Sequence, residues 1–152
     1  MNPNGPSQRG GPGGVFRRIL VGFDGSKEAQ HALRVAAALA ADLNGEVRVL
    51  MVVRPSAHAE TPAELARATQ AERENLARGL AGVWDQTQGG REITSAVVFA
   101  DDPAKAISEH VQEHGFDLVV LGDHGRERAI HRGVGQSLQA LLRRHPCPVL
   151  VV

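Results

Sequence analysis

Short unbroken apolar runs alternate along the chain with stretches in which apolar residues recur every three or four positions. The first run, Ile19 to Phe23, is bounded by turn chemistry at Asp24-Gly25-Ser26 and predicts a buried strand. Ser26 is a natural N-cap for the next stretch. There Ala29, Leu33, Ala36, Ala40 and Leu43 fall at helical spacing before Asn44-Gly45 supply a stop. "EVRVLMVV" predicts a second strand. Thr61-Pro62-Ala63-Glu64 then combines a capping box with proline at the first helical position. Behind it Leu65, Thr69, Glu72, Leu76, Leu80 and Val83 mark one face of a long helix, with two polar interruptions, and Gln88-Gly89-Gly90 breaks it.

"EITSAVVF" predicts a third strand, and Asp102-Pro103 opens a helix that runs to His114 and stops at Gly115. "DLVVL" is the fourth strand, apolar enough to be covered on both faces. An amphipathic segment with Leu138, Leu141 and Leu142 follows, and His145-Pro146-Cys147-Pro148 stops it. "VLVV" supplies a fifth strand. Regular alternation of strand and helix predicts one α/β domain over residues 15–152, built on a parallel sheet with helices on both faces. Residues 1–14, "MNPNGPSQRGGPGG", are expected to form a disordered Gly/Pro-rich tail, because nothing in them offsets the entropy of ordering.

Composition narrows the function. Lys+Arg and Asp+Glu are both 17 in 152 residues, and this balance argues against a nucleic-acid or anionic-membrane binder. Aromatic residues are 3% of the chain, too few for a base-stacking platform. The first fourteen residues hold no apolar stretch, and no run approaches 18 apolar residues. A soluble, cytoplasmic protein is therefore expected. The single cysteine, Cys147, permits no internal disulfide and fits a reducing compartment.

The chemically suggestive stretch is "GDHGRERAIHRGVGQS", residues 122 to 137, directly after the fourth strand. Its glycines permit close approach of backbone N–H groups to phosphate oxygens, and a following helix N-terminus favours an anion. Arg126, Arg128 and Arg132 can neutralise phosphate, or can simply form a solvated face. In an open parallel sheet, ligands sit outside the carboxyl ends of the strands where the strand order reverses. With the order 3-2-1-4-5, that crevice would bring together Gly22 and Asp24 from the first strand's end and Leu121 and Gly122 from the fourth. Periodicity does not determine that order. Asp24 has a second reading, as a turn residue ahead of Ser26.

The segments "ILVGFDGS", "DDPAKAI", "DLVVLGDHG" and "RRHPCPVLVV" resemble the universal stress protein family, in that order and over roughly residues 15 to 152. The resemblance implies a Rossmann-like five-stranded sheet of order 3-2-1-4-5. It also implies a homodimer paired through the last strand, Val149, Leu150, Val151 and Val152. The nucleotide-binding branch of the family carries Gly, two residues, Gly, nine residues, Gly, then Ser or Thr. Gly122, Gly125 and Gly135 keep that spacing. By the same resemblance Gly22 and Asp24 line the ribose end of an ATP site, Val52 meets the adenine, and Leu121 sits beside the pocket.

This chain departs from the pattern at Gln136, which stands where the binding branch has a hydroxyl, with Ser137 one place later. Leu138 and Gly133 also depart, the first from a frequent hydroxyl and the second from a bulky apolar residue. Loss of one neutral hydrogen bond costs about 0.5–1.5 kcal/mol, which weakens binding without abolishing it. His110 and His114 stand at i, i+4 on one helix, but a metal site would need a third ligand that is not apparent. No nucleophile is paired with a base in the sequence pattern, so a binding protein rather than an enzyme is expected. The alternative expectation is a dimeric module that binds no nucleotide and acts through protein partners.

Overall fold

The side chains of β1 (Arg18–Gly22) leave the sheet on alternate faces, and both faces meet packed helices. Ile19 and Val21 enter one apolar cluster and Leu20 the other, all three with no exposure. The computed structural model describes residues 15–55, 61–84, 93–123, 136–144 and 146–152. After β1 come α1 (Lys27–Leu43), β2 (Glu46–Val53), α2 (Pro62–Trp84), β3 (Ile93–Phe99), α3 (Pro103–His114), β4 (Leu118–Leu121), α4 (Gln136–Arg144) and β5 (Val149–Val151). The sheet has five strands in the order β3-β2-β1-β4-β5, and each neighbouring pair is parallel. This is the α/β sheet and the strand order expected. The first fourteen residues of the expected tail and the loop glycines Gly125 and Gly135 lie outside the described residues.

Sequence chemistry places the helix ends. Ser26 Oγ accepts from the Ala29 amide at 3.1 Å, and α1 ends at Asn44, whose φ of 57° is left-handed. The Thr61–Glu64 box closes in both directions. The Thr61 amide donates to Glu64 Oε2 at 2.9 Å and the Glu64 amide donates to Thr61 Oγ1 at 3.2 Å. Asp102 accepts from the Lys105 amide at 3.0 Å, and Gly115 ends α3 with a φ of 65°. A cap of this kind contributes about 0.5–2 kcal/mol.

The helices cover the two faces unequally. One cluster joins α1 and the second half of α2 through Leu33, Leu76, Leu80 and Val83 to Ile19, Val21, Val47, Val49 and Val120. The other joins α3 and α4 through Ile107, Val111 and Leu141 to Leu20, Leu50 and Val119. The first half of α2 differs from the sequence expectation, because Leu65 is 44% exposed. Length explains it. A helix of 23 residues extends about 34 Å, whereas the seven-residue β3 extends only about 23 Å. The leading turns of α2 therefore overhang the sheet.

At the N-terminal edge of the sheet, Asp117 fixes β1 against β4 by accepting the Arg17 and Arg18 amides at 3.0 and 2.9 Å. Beside it Phe116 gathers basic side chains. The Arg18 and Arg48 guanidinium groups lie 5.2 and 5.7 Å from its ring centroid, and His110 stacks on it at 5.8 Å. His110 is buried and its Nε2 has no hydrogen-bond partner among the described residues. Burial, and then the charges of His114 and Arg48, push its pKa down from 6.5 to about 4.

The unfolded chain accordingly takes up a proton that the folded chain refuses between those two values. His110 supports stability fully above pH 6.5, and that support drains away as the pH falls toward 4. His110→Phe is expected to flatten this part of the profile, which for one proton is at most about 1.4 kcal/mol per pH unit. Urea unfolding of both proteins at pH 7.5, 6.0 and 5.0 measures it. Parallel profiles would show that His110 is not the titrating group.

Candidate functional site

The crevice is built where β1 and β4 end. Past Gly22 the Phe23 amide still donates to the Leu50 carbonyl at 2.9 Å, so the backbone stays tied to β2 for one more residue. The Phe23 ring is buried and packs on α2 at Gly79, where an added Cβ would stand 3.0 Å from Phe23 Cε1. The chain then turns sharply. Gly25 has a φ of 82°, in the region open to glycine, and Asp24 Oδ1 accepts the Ser26 amide at 2.9 Å. Asp24 is thus a turn residue, as one of its two readings held.

Two glycines let the ends of β1 and β4 come this close. A Cβ on Gly22 would overlap Leu121 Cδ2, the tip of a flexible side chain, with Ile107 Cδ1 3.8 Å away. A Cβ on Gly122 would fall 2.7 Å from Glu28 Cβ and 2.8 and 2.9 Å from the Glu28 backbone carbonyl carbon and oxygen. Gly122 therefore seats the exit of β4 directly on the first turn of α1. Beyond it the Asp123 amide donates to the Val152 carbonyl, and the Val152 amide to the Leu121 carbonyl, both at 2.9 Å.

Val52 and Leu121 are half-buried and pack against the α3/α4 cluster, on the face that Gly22 also presents. Gly22, Val52 and Leu121 are thereby placed on one face near the carboxyl ends of three adjacent strands, with Asp24 and Gly122 just past two of those ends. Gln136 and Ser137 open α4, Gln136 exposed and Ser137 half-buried, while Leu138 and Leu141 anchor that helix. Gly125 and Gly135, together with Arg126, Arg128 and Arg132, lie outside the described residues. Ile107 and Glu28 are neighbours of the site that sequence reasoning missed. Ala104, Ile107 and Val111 stand at helical spacing on the packed face of α3, and nothing in the sequence ties that face to Gly22.

Other reactive side chains stand apart from this end. Cys147 is half-buried, and burial, followed by the charge of Asp117, raises its pKa to about 11, so it is a thiol at neutral pH. Among the described residues no three His, Cys, Asp or Glu side chains gather as a metal site, and no helix is long and apolar enough to cross a membrane.

A five-stranded parallel sheet with this strand reversal and this pair of strand-end glycines defines an open α/β protein with a crevice at its topological switch point. The model of the universal stress protein family matches residues 16–152, and the chain belongs to that family. It is 29% identical over 143 residues to a universal stress protein of Thermus aquaticus, covering 91% of this chain and 99% of that protein. It is similar in structure to the universal stress protein UspA from Lactobacillus plantarum, with a TM-score of 0.74 and 27% identity over 91% of this chain and 99% of that one. A universal stress protein solved in complex with cAMP shares the fold at a TM-score of 0.66, with 23% identity over 91% of this chain and 98% of that one.

The two glycines should differ in their tolerance of a methyl group. Gly122→Ala meets backbone and is expected to cost about 1–3 kcal/mol, while Gly22→Ala displaces one leucine tip and should cost less than about 1.5 kcal/mol. Equilibrium urea unfolding of both variants tests the order. Equal losses would mean that the end of β4 shifts off α1 freely.

Proposed function

We propose that this protein binds an adenine nucleotide, ATP foremost, in the crevice between the ends of β1 and β4, and acts in the cytoplasm as a homodimeric sensor or regulator of stress. The observation that carries the reading is the strand order. The chain winds outward from β1 to β3 and then returns to place β4 on the other side of β1, which makes their carboxyl ends the switch point where such sheets take ligands. The half-buried Val52 and Leu121 suit the face of an adenine, and the Asp24 carboxylate suits ribose hydroxyls. The glycine-rich stretch ahead of α4 suits phosphate. The cAMP complex of a protein with this fold supports the same ligand class. Glycine backbone, apolar contact and hydrogen bonding are recognition chemistry, so the proposed activity is binding rather than turnover.

Calorimetric titration of the full chain with ATP tests this reading, with saturable binding expected. Gln136→Ser restores the hydroxyl of the nucleotide-binding branch at an exposed position and should tighten binding roughly three- to twelvefold. Absence of both heat and thermal shift at millimolar ATP would overturn the nucleotide reading and leave a dimeric module that works through protein contacts.

The dimer has separate support. β5 is an edge strand, Val151 is 39% exposed, and Leu142 on neighbouring α4 is 37% exposed. An apolar edge of this kind is covered by pairing Val149 to Val152 with a second copy about a two-fold axis. Light scattering at micromolar concentration should give twice the 16.2 kDa chain mass, and Val151→Lys should give the monomer. A monomeric parent protein would refute the pairing.

A further inference from the structure

A hollow of about 500 Å³ lies between α2 and β3 and shares no lining residue with the β1/β4 crevice. That volume is within the range of small-ligand sites. Its helical wall is one stripe: Arg73, Ala77 and Ala81 at i, i+4 and i+8, with Leu80 beside them. The stripe spans eight residues, so the trough is about 12 Å long. Its sheet wall is Ser95, Ala96 and Val97 of β3, an edge strand none of whose residues is fully buried. Small side chains on the helix leave the trough open, and apart from Arg73 and Ser95 its lining residues are apolar.

One end differs. Arg73 carries a permanent charge, and no carboxylate, carbonyl or hydroxyl among the described residues engages its guanidinium. Arg73 is exposed to solvent at this end, and an amine would be repelled by its charge. A carboxylate answers it with the matching planar geometry. We propose that the α2–β3 groove binds a small apolar carboxylate, its head on Arg73 and a chain of roughly eight to ten carbons along Ala77, Ala81 and Val97. The proposal does not rest on nucleotide binding.

Decanoate below its micellar concentration is the probe, titrated into the full chain and followed by calorimetry and by amide chemical shifts. Saturable one-to-one binding that perturbs α2 and β3 is expected, weakening up to about fourfold for each methylene removed from the chain. Arg73→Gln should weaken decanoate roughly tenfold or more and leave 1-decanol unchanged. Ala77→Trp is at an exposed position, where the fold is expected to tolerate it, and should close the trough to both. Decylamine should not bind. The proposal is overturned by no saturable binding at millimolar decanoate, by an Arg73→Gln variant that binds as the parent does, or by decylamine binding as well as decanoate. It is also overturned if Ala77→Trp lowers the mass in sedimentation, since the groove would then be a contact between copies of the chain.

Discussion

Everything in this molecule depends on β1 being covered on all sides. Its three central residues have no exposure, it pairs with β2 and β4, and helices lie over both of its faces. As the first strand of the sheet, β1 gains a neighbour on its second side only because the chain later crosses back past it and reverses its direction of winding. The reversal that buries β1 therefore also creates the switch point at its carboxyl end. The crevice is a consequence of the solution to the burial problem, which is why the residues beside it are so tightly engaged in packing. At the opposite end Asp117 closes the same strand by accepting two consecutive amides, so β1 is fixed in register before any ligand is considered.

The elements were legible in the sequence because each carries local chemistry. Ser26, Thr61–Glu64, Asp102 and Gly115 are caps whose side chains or φ values do what their residue types suggest. The strand order was not legible from periodicity, since a run such as "DLVVL" is equally apolar at any interior place in a sheet. It came from the resemblance to a family. Leu65 shows a different limit: its helical spacing was correct, but the helix outruns the strand beneath it, and relative length is a tertiary quantity. His110 shows a third. It sits at helical spacing on a packed face, and the ring stacked on it is Phe116, which is six residues away and beyond the end of the helix.

The candidate site was legible only in part, for a related reason. Gly22, Asp24, Leu121 and Gly122 were placed by their strand ends, and Val52 by family likeness. The contacts these glycines make are long-range. Gly122 lies on the Glu28 backbone across 94 positions of sequence, and Gly22 lies against Leu121 and Ile107. A glycine read as a phosphate cradle and a glycine read as a packing requirement look the same on the page.

That ambiguity bears on how function can be separated from fold here. Substituting Gly122 perturbs the seat of α1, so a loss of binding there would carry no information about phosphate contact. Asp24 is similar, because its Oδ1 holds the Ser26 amide and through it the turn into α1. Gln136 is the exception. It is exposed at the first position of α4, and the helix is held by Leu138 and Leu141, so its side chain is free to change without disturbing the core. The departure from the family pattern thus falls at a described polar position where ligand chemistry and folding are separable. A change of residue type there therefore tests the proposed phosphate contact without testing the fold.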